Sequence, residues 1–189
     1  MTECSADLYW MPVGAGTSGF QQASLRFWES IEAAHVLTVH ALGSFIRRSS
    51  LRSPGGRVHA GTDASIRRRP PPLATGPVGI RGADRIRLFR YQLRRVPGET
   101  LPDEEWAEGE PIHLTGDCDA VRRIVALAPS TPPHVWGRRV RGTKEMWTSD
   151  SVISWLLRSA GIDLSKVAIP PGGRAPGWSA GIALAATGR

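Results

Sequence analysis

Apolar residues recur with the period of an α-helix over residues 146–161, the clearest pattern in the chain. The members of this apolar face are Val152, Ile153, Leu156, Leu157 and Ala160. Thr148, Ser149 and Asp150 precede them, and each offers a side-chain oxygen to the unpaired N–H groups of a first helical turn. Gly161 follows, and glycine in a left-handed conformation often ends a helix. The pattern therefore predicts a short, capped and buried helix late in the chain.

Strands and helices are predicted along the rest of the chain. Alternation predicts strands at Val36–Leu42 and Arg85–Arg94, and two further short strands are predicted at Asp7–Val13, an apolar stretch, and at Ile112–Leu114. Helical spacing predicts helices at Gln21–Ala34 and from a cap at Thr115 or Asp117 to Leu127. In the strand at 85–94, Ile86 and Leu88 are expected to face the core. These elements indicate the α+β class, with a small antiparallel sheet packed against helices.

The pattern is lost at about 45–75. This segment has no periodicity and few apolar residues, and it contains the run Arg67-Arg68-Arg69-Pro70-Pro71-Pro72. Because so polar a stretch buries little surface, we expect a disordered insert within a single domain that spans residues 1–189.

The net charge of +7 at pH 7 is concentrated in the same part of the chain. Residues 47–77 hold seven arginines and one acid, a local charge of +6, so the remainder is close to neutral. A basic arm can contact nucleic acid. Beyond Phe45 and His59, however, this stretch has no ring on which a base could stack. We therefore expect no nucleic-acid partner and keep one only as a weaker alternative.

The two cysteines, Cys4 and Cys118, are too few for a disulfide scaffold or a zinc site. No apolar run approaches the ~18 residues of a membrane helix, and we expect no cleavable leader at the start of the chain. The glycine-rich stretch Gly14–Gly19 lacks the P-loop lysine and the dinucleotide-binding spacing. These observations predict a cytoplasmic protein with reduced thiols and with no metal, cofactor or membrane partner.

Several segments resemble a known family. They are Met11-Pro12-Val13-Gly14-Ala15-Gly16, Gly76–Gly79, Leu88–Tyr91, Trp136–Arg138, Met146–Leu157 and Pro170–Gly181. The chain resembles an uncharacterised bacterial family that pairs a Met-Trp-Asn-Ser-Asn-Ser helix with a Pro-Pro-Gly-Gly-Arg-Ala-Pro-Gly-Trp tail. It is also distantly similar to the permuted papain-like proteins, which include NlpC-type peptidases and relatives of lecithin retinol acyltransferase. Thr148 and Asp150 stand where the bacterial family has asparagines.

The papain-like resemblance implies a hydrolase or acyltransferase that acts on an amide or ester. Ser149 takes the position of the cysteine in those enzymes and is the candidate nucleophile, with His40 as the general base. A helix dipole worth about 0.3–1 kcal/mol does not ionise a serine, so His40 must lie in hydrogen-bond contact with it. Trp147 and Arg174 are the candidate substrate-binding residues, for an unidentified small molecule or peptide.

A second hypothesis treats Ser149 as a helix cap and nothing else, because caps are common and serine nucleophiles are rare. The chain would then be a catalytically silent binding or structural member of the fold. Pro170–Trp178 is interpreted in the same way, as a structural clasp that closes over the late helix, and Trp178 is expected to pack at the edge of the core. Nucleic-acid binding through the arginine-rich insert is the third hypothesis.

Overall fold

The structure is a computed structural model that describes residues 4–12, 47–53, 56–61, 71–86, 89–96, 107, 109–171 and 173–188. The predicted helix at Gln21–Ala34 and the predicted strand at Val36–Leu42, which contains His40, lie outside the described residues.

Six strands form one antiparallel sheet: β1 (Ala6–Pro12), β2 (Arg47–Ser53), β3 (Gly56–Gly61), β4 (Ala74–Pro77), β5 (Arg90–Val96) and β6 (Ile112–Thr115). Their order across the sheet is β4-β5-β3-β2-β1-β6. Strand β1 joins distant parts of the chain, because Leu8 lies opposite both Leu51 of β2 and Ile112 of β6. Leu51 in turn lies opposite Val58 of β3.

In the described part of the chain, three helices accompany the sheet: α1 (Cys118–Leu127), α2 (Ser149–Ser159) and α3 (Trp178–Thr187). The Asp117 carboxylate caps α1 by accepting hydrogen bonds from the backbone N–H groups of Asp119 and Ala120 at 2.9 and 3.3 Å. Helix α2 ends before Gly161, which has a φ of +88°. Helices α1 and α2 therefore confirm the sequence predictions, as do β1 and β6, to within a few residues.

Helix α2 takes part in two hydrophobic clusters. The first includes Leu8, Trp10, Ile153, Leu157 and Trp178. The second includes Tyr91, Leu93, Trp147, Val152 and Leu156. Because neighbouring positions of α2 supply both clusters, the helix is buried on more than one side and lies at the centre of the packing.

Strand β5 begins later than predicted. A 3₁₀ turn at Ala83–Arg85 precedes it, and the backbone N–H of Phe89 donates to the carbonyl of Ile86 at 3.0 Å. Ile86 therefore lies in a turn, where it is 59% exposed, and the expectation that it faces the core is wrong. Leu88 lies outside the described residues.

The segment expected to be disordered contains β2, β3 and the first residues of β4. Strand β2 pairs with β1 and β3, and β3 also pairs with β5, so both are interior strands. Backbone ladders of this kind can form from polar as well as apolar residues, because they use the main-chain N–H and C=O groups, which an interior strand satisfies on both sides. For the residues of these strands, the expectation of disorder is wrong.

Helix α3 was not predicted. Its residues are small or apolar on all sides, and Gly177 at its start offers no side chain for a cap. A helix without a polar face has no helical period in its hydropathy, so the sequence pattern does not reveal it.

Candidate functional site

The first turn of α2 carries the predicted nucleophile, and its cap is formed by other residues. The Thr148 hydroxyl accepts from the backbone N–H of Ser151 at 3.5 Å, and the Ser151 hydroxyl accepts from the backbone N–H of Thr148 at 3.0 Å. This reciprocal pair is a capping box, a recognised way to satisfy two orphan N–H groups. Ser149 takes no part in it, so the hypothesis that Ser149 is the helix cap is wrong.

Ser149 is the first residue of α2 and is 5% exposed. Its predicted base, His40, lies outside the described residues, so the Ser149–His40 contact stays a prediction. The structure therefore places the Ser149 side chain at the start of α2 and shows that it is almost inaccessible to solvent, which limits its access to a substrate.

Asp150 is fully buried, and neither of its carboxylate oxygens has a hydrogen-bond partner. Burial raises the pKa of Asp150 well above its usual value, and the nearby carboxylate of Glu145 raises it further. A buried acid without a partner is costly when ionised, so the folded protein favours the neutral form of this side chain.

The Glu145 carboxylate caps α3. It accepts hydrogen bonds from the backbone N–H groups of Ser179 and Ala180 at 3.0 and 3.3 Å, and from the Ser179 hydroxyl at 3.2 Å. A negative charge is favourable at a helix N-terminus. Glu145 thus supplies from another segment the cap that Gly177 lacks.

Helices α2 and α3 approach each other through two glycines. A Cβ atom at Gly177 would come within 3.0 Å of the Ser151 hydroxyl, and one at Gly181 would come as close to the Ser151 carbonyl and the Ser154 hydroxyl. Real Cβ atoms do not approach other atoms so closely, so only glycine allows this spacing. We call the contact of the α2 start with residues 176–181 the helix joint.

Two hydroxyl groups, one on α2 and one on its N-cap residue, donate hydrogen bonds across the helix joint. The Ser154 hydroxyl donates to the carbonyl of Trp178 at 2.8 Å, and the Thr148 hydroxyl donates to the carbonyl of Pro176. Trp178 is 8% exposed, and its ring centroid lies 5.3 Å from that of Trp10. The prediction that Trp178 packs at the core is confirmed.

Trp147 lies in the core, with no exposed surface. Its indole N–H donates to the Tyr91 hydroxyl at 3.0 Å, and that hydroxyl donates to the carbonyl of Pro132 at 3.3 Å. Burial raises the pKa of Tyr91 to about 12, although the bond from Trp147 partly opposes the rise. The His134 ring packs 5.0 Å from Trp147, centroid to centroid. Trp147 therefore presents no surface that a substrate could contact, as its predicted role in substrate binding would require.

Arg174 is exposed on the loop before α3. No ion pair among the described residues involves it. Its guanidinium therefore faces solvent, as a ligand-binding residue requires, but it does not meet Trp147 at a common surface.

Sequence reasoning missed a polar pair that joins β1 to β6. The His113 imidazole Nδ1 lies 2.8 Å from one oxygen of Asp7, whose other oxygen accepts from the Ser5 hydroxyl at 2.8 Å. Since 106 residues separate the histidine from the aspartate, no local sequence motif predicts the pair. Ser5 bonds to the carboxylate rather than to the imidazole, so the three residues do not form a catalytic triad.

The two cysteines form a disulfide. Cys4, just before β1, is bonded to Cys118, the first residue of α1, with their Cα atoms 5.1 Å apart. The expectation of two reduced thiols is therefore wrong for this structure. Only pairing in space shows the bond, because the cysteines lie 114 residues apart.

Within the described ranges, no group of three or more metal-ligating side chains is found. No helix among them has the length and apolar character needed to cross a membrane. Comparison with protein families, curated proteins and solved structures found no match.

Proposed function

We propose that this chain is a catalytically silent binding protein, in which the start of α2 serves as a structural joint. The observation that carries this proposal is the burial of the first turn, where Ser149 is 5% exposed and Asp150 is not exposed at all. A nucleophile must bring its oxygen to about 3–3.5 Å from the carbon it attacks. A serine enclosed in this way offers little surface to an amide or ester.

The neighbours of Ser149 favour the same proposal. The hydroxyl groups of Thr148, Ser151 and Ser154 all take part in hydrogen bonds of the cap or the helix joint. Glu145 is bonded to the start of α3. These polar side chains are explained by the packing of two helices, without any reaction.

A hydrolase or acyltransferase of the permuted papain-like fold is the second candidate. It is favoured by the freedom of Ser149 from capping bonds at the start of a helix of eleven residues. In that case Ser149 would attack the acyl carbon, His40 would accept its proton, and backbone N–H groups of the first turn would stabilise the oxyanion.

Labelling with a serine-reactive phosphonate separates the two candidates. The silent protein is expected to form no adduct, so the wild type and Ser149→Ala are expected to show the same absence of labelling. An adduct that is lost in Ser149→Ala and in His40→Ala, but kept in the control Ser159→Ala on the same helix, would establish the enzyme instead.

The disulfide bears on where the protein functions. Disulfides persist in oxidising compartments and are rare in the cytoplasm, where thiols are kept reduced. We therefore propose an oxidising compartment in place of the cytoplasmic location expected from the sequence. Titration of free thiols in protein isolated under non-reducing conditions tests this proposal, and two free thiols would contradict it.

Nucleic-acid binding through the arginine-rich segment needs a test that spares the sheet. Because β2 and β3 are interior strands, deletion of residues 47–72 would remove part of the fold. Replacement of Arg67, Arg68 and Arg69 by serine is the better test, since it leaves every residue of β2 and β3 unchanged. Salt-sensitive binding to a DNA duplex that these substitutions abolish would favour this alternative.

A further inference from the structure

Two isoleucines are strongly exposed on the turn between β4 and β5. Ile80 is 69% exposed and Ile86 is 59% exposed, the highest values among the large hydrophobic residues described. Arg81 and Arg85, both exposed, lie between them in the chain. Exposed aliphatic side chains rimmed by arginines are a feature that an interaction surface can use.

A hairpin at residues 137–147 carries further cations. Arg139 and Met146 form an antiparallel bridge, and the backbone N–H of Val140 donates to the carbonyl of Glu145 at 2.9 Å. Its exposed cations are Arg138, Arg139, Arg141 and Lys144.

The turn and the hairpin lie side by side. The backbone N–H of Gly79 donates to the carbonyl of Trp136 at 3.0 Å, and the Arg138 guanidinium donates to the carbonyl of Gly79 at 2.6 Å. We call the exposed residues of the two segments the basic face. It consists of Ile80, Arg81, Arg85, Ile86, Arg138, Arg139, Arg141 and Lys144.

The cations of the basic face have few counter-charges. None of them belongs to an ion pair in the described part of the chain. The two segments contain Asp84 and Glu145 as their acids, and the Glu145 carboxylate is bonded to the start of α3. Six cations therefore face solvent with little local neutralisation.

We propose that the basic face binds the surface of a membrane that contains anionic lipids. This inference rests on the proposed function as a binding protein and names the chemistry of the partner. Arginine and lysine bind phosphate head groups, and exposed aliphatic side chains gain by entering the boundary of the acyl chains. A nucleic-acid backbone would engage the cations and leave the two isoleucines in water, so it fits this face less well.

The basic face would lie on the membrane surface rather than cross it, and none of the helices described is long and apolar enough to span a bilayer. It departs from the expectation of no membrane partner, because its cations come from two segments about 55 residues apart that only the fold brings together. Each cation near an anionic surface contributes about 1 kcal/mol, a factor of about five in affinity.

Sedimentation of the full chain with lipid vesicles tests this proposal. We expect binding to vesicles of phosphatidylcholine with phosphatidylserine, weaker binding at high salt, and little binding to phosphatidylcholine alone. The variant Arg141→Gln/Lys144→Gln is expected to bind about 10–30-fold more weakly. A matched control, Arg122→Gln/Lys166→Gln, removes the same charge from exposed sites outside the basic face and is expected to lose far less.

The isoleucines decide between a membrane and nucleic acid. Ile80→Ser/Ile86→Ser is expected to weaken vesicle binding severalfold while it preserves the circular dichroism of the native fold. Tighter binding to a DNA duplex than to vesicles, unaffected by these substitutions, would overturn the proposal. An equal loss of vesicle binding in the Arg122/Lys166 control would also overturn it.

Failure of this inference is distinguishable from failure of the proposed function. Absence of vesicle binding, together with absence of a phosphonate adduct, overturns the membrane proposal and leaves the silent binding protein. An adduct at Ser149 overturns the proposed function whether or not vesicles are bound.

Discussion

Replacement of Gly181 by alanine sets two effects of opposite sign against each other. In an open helix, alanine is favoured over glycine by about 1 kcal/mol because it restricts the unfolded chain. At the helix joint, the new methyl group would come within 3.0 Å of the Ser151 carbonyl and the Ser154 hydroxyl. Overpacking of this kind typically costs about 1–3 kcal/mol.

The neighbours of Gly181 decide which effect is larger. Ser151 presents backbone, which cannot rotate away, and Ser154 holds the carbonyl of Trp178 at 2.8 Å. A shift of α3 would weaken that hydrogen bond, at a further cost of about 1 kcal/mol that offsets the gain in helix propensity. We therefore expect Gly181→Ala to lower the free energy of unfolding by about 1–3 kcal/mol, or the Tm by about 2–12 °C.

Thermal unfolding followed by circular dichroism measures this change. Gly188→Ala is the matched control, because the nearest atom to its Cβ would be the Leu184 carbonyl oxygen at 3.8 Å and its φ is −89°. We expect the control to be unchanged or slightly more stable. If Gly181→Ala were as stable as the control, the close approach of α2 and α3 would be refuted.

Three further predictions concern buried groups and the disulfide. Asp150→Asn should raise stability at neutral pH, because the raised pKa of this acid makes the wild type lose stability as pH rises above the unfolded-state value of about 3.9. The gain should vanish in melts below about pH 4, and an equal gain there would contradict it. Tyr91→Phe should cost about 1–3 kcal/mol in urea unfolding, since the Trp147 indole N–H loses its acceptor; an unchanged midpoint would argue against that bond. Reduction should lower the Tm of the wild type by an amount equivalent to about 2–5 kcal/mol, and leave Cys4→Ser/Cys118→Ser unaffected. A wild-type melt insensitive to reductant would exclude a stabilising disulfide.

The elements that the sequence predicted well are those whose start, apolar face and end are all marked by residues within one short segment. Helix α2 has a capping residue, an apolar face and a terminating glycine within one short stretch, so its limits could be predicted closely. Helix α1 is similar, with Asp117 before it and Pro129 after it. By contrast, β2 and β3 owe their conformation to pairing on both sides, which is a property of the sheet rather than of their composition.

The candidate site depended on contacts that no local pattern contains. The sequence placed Ser149 on the first helical turn, which is confirmed, but it could not show that Thr148 and Ser151 form the cap. Trp147 gave the same difficulty, since a tryptophan beside a polar cap suits a ligand as well as a core. Its burial depends on Tyr91, 56 residues away, which accepts the hydrogen bond of the indole N–H.

The pairing of β1 with both β2 and β6 has a consequence for synthesis on the ribosome. The first strand emerges early, yet its second neighbour ends at Thr115, so one edge of β1 stays unpaired while about a hundred further residues are translated. Trp10 forms its contact later still, because its partner Trp178 lies in α3, which follows β6 in the chain. An early strand with late partners slows assembly and exposes a backbone edge to other chains in the meantime. The sheet therefore cannot be complete until Thr115 has been translated, and the Trp10–Trp178 contact forms later still.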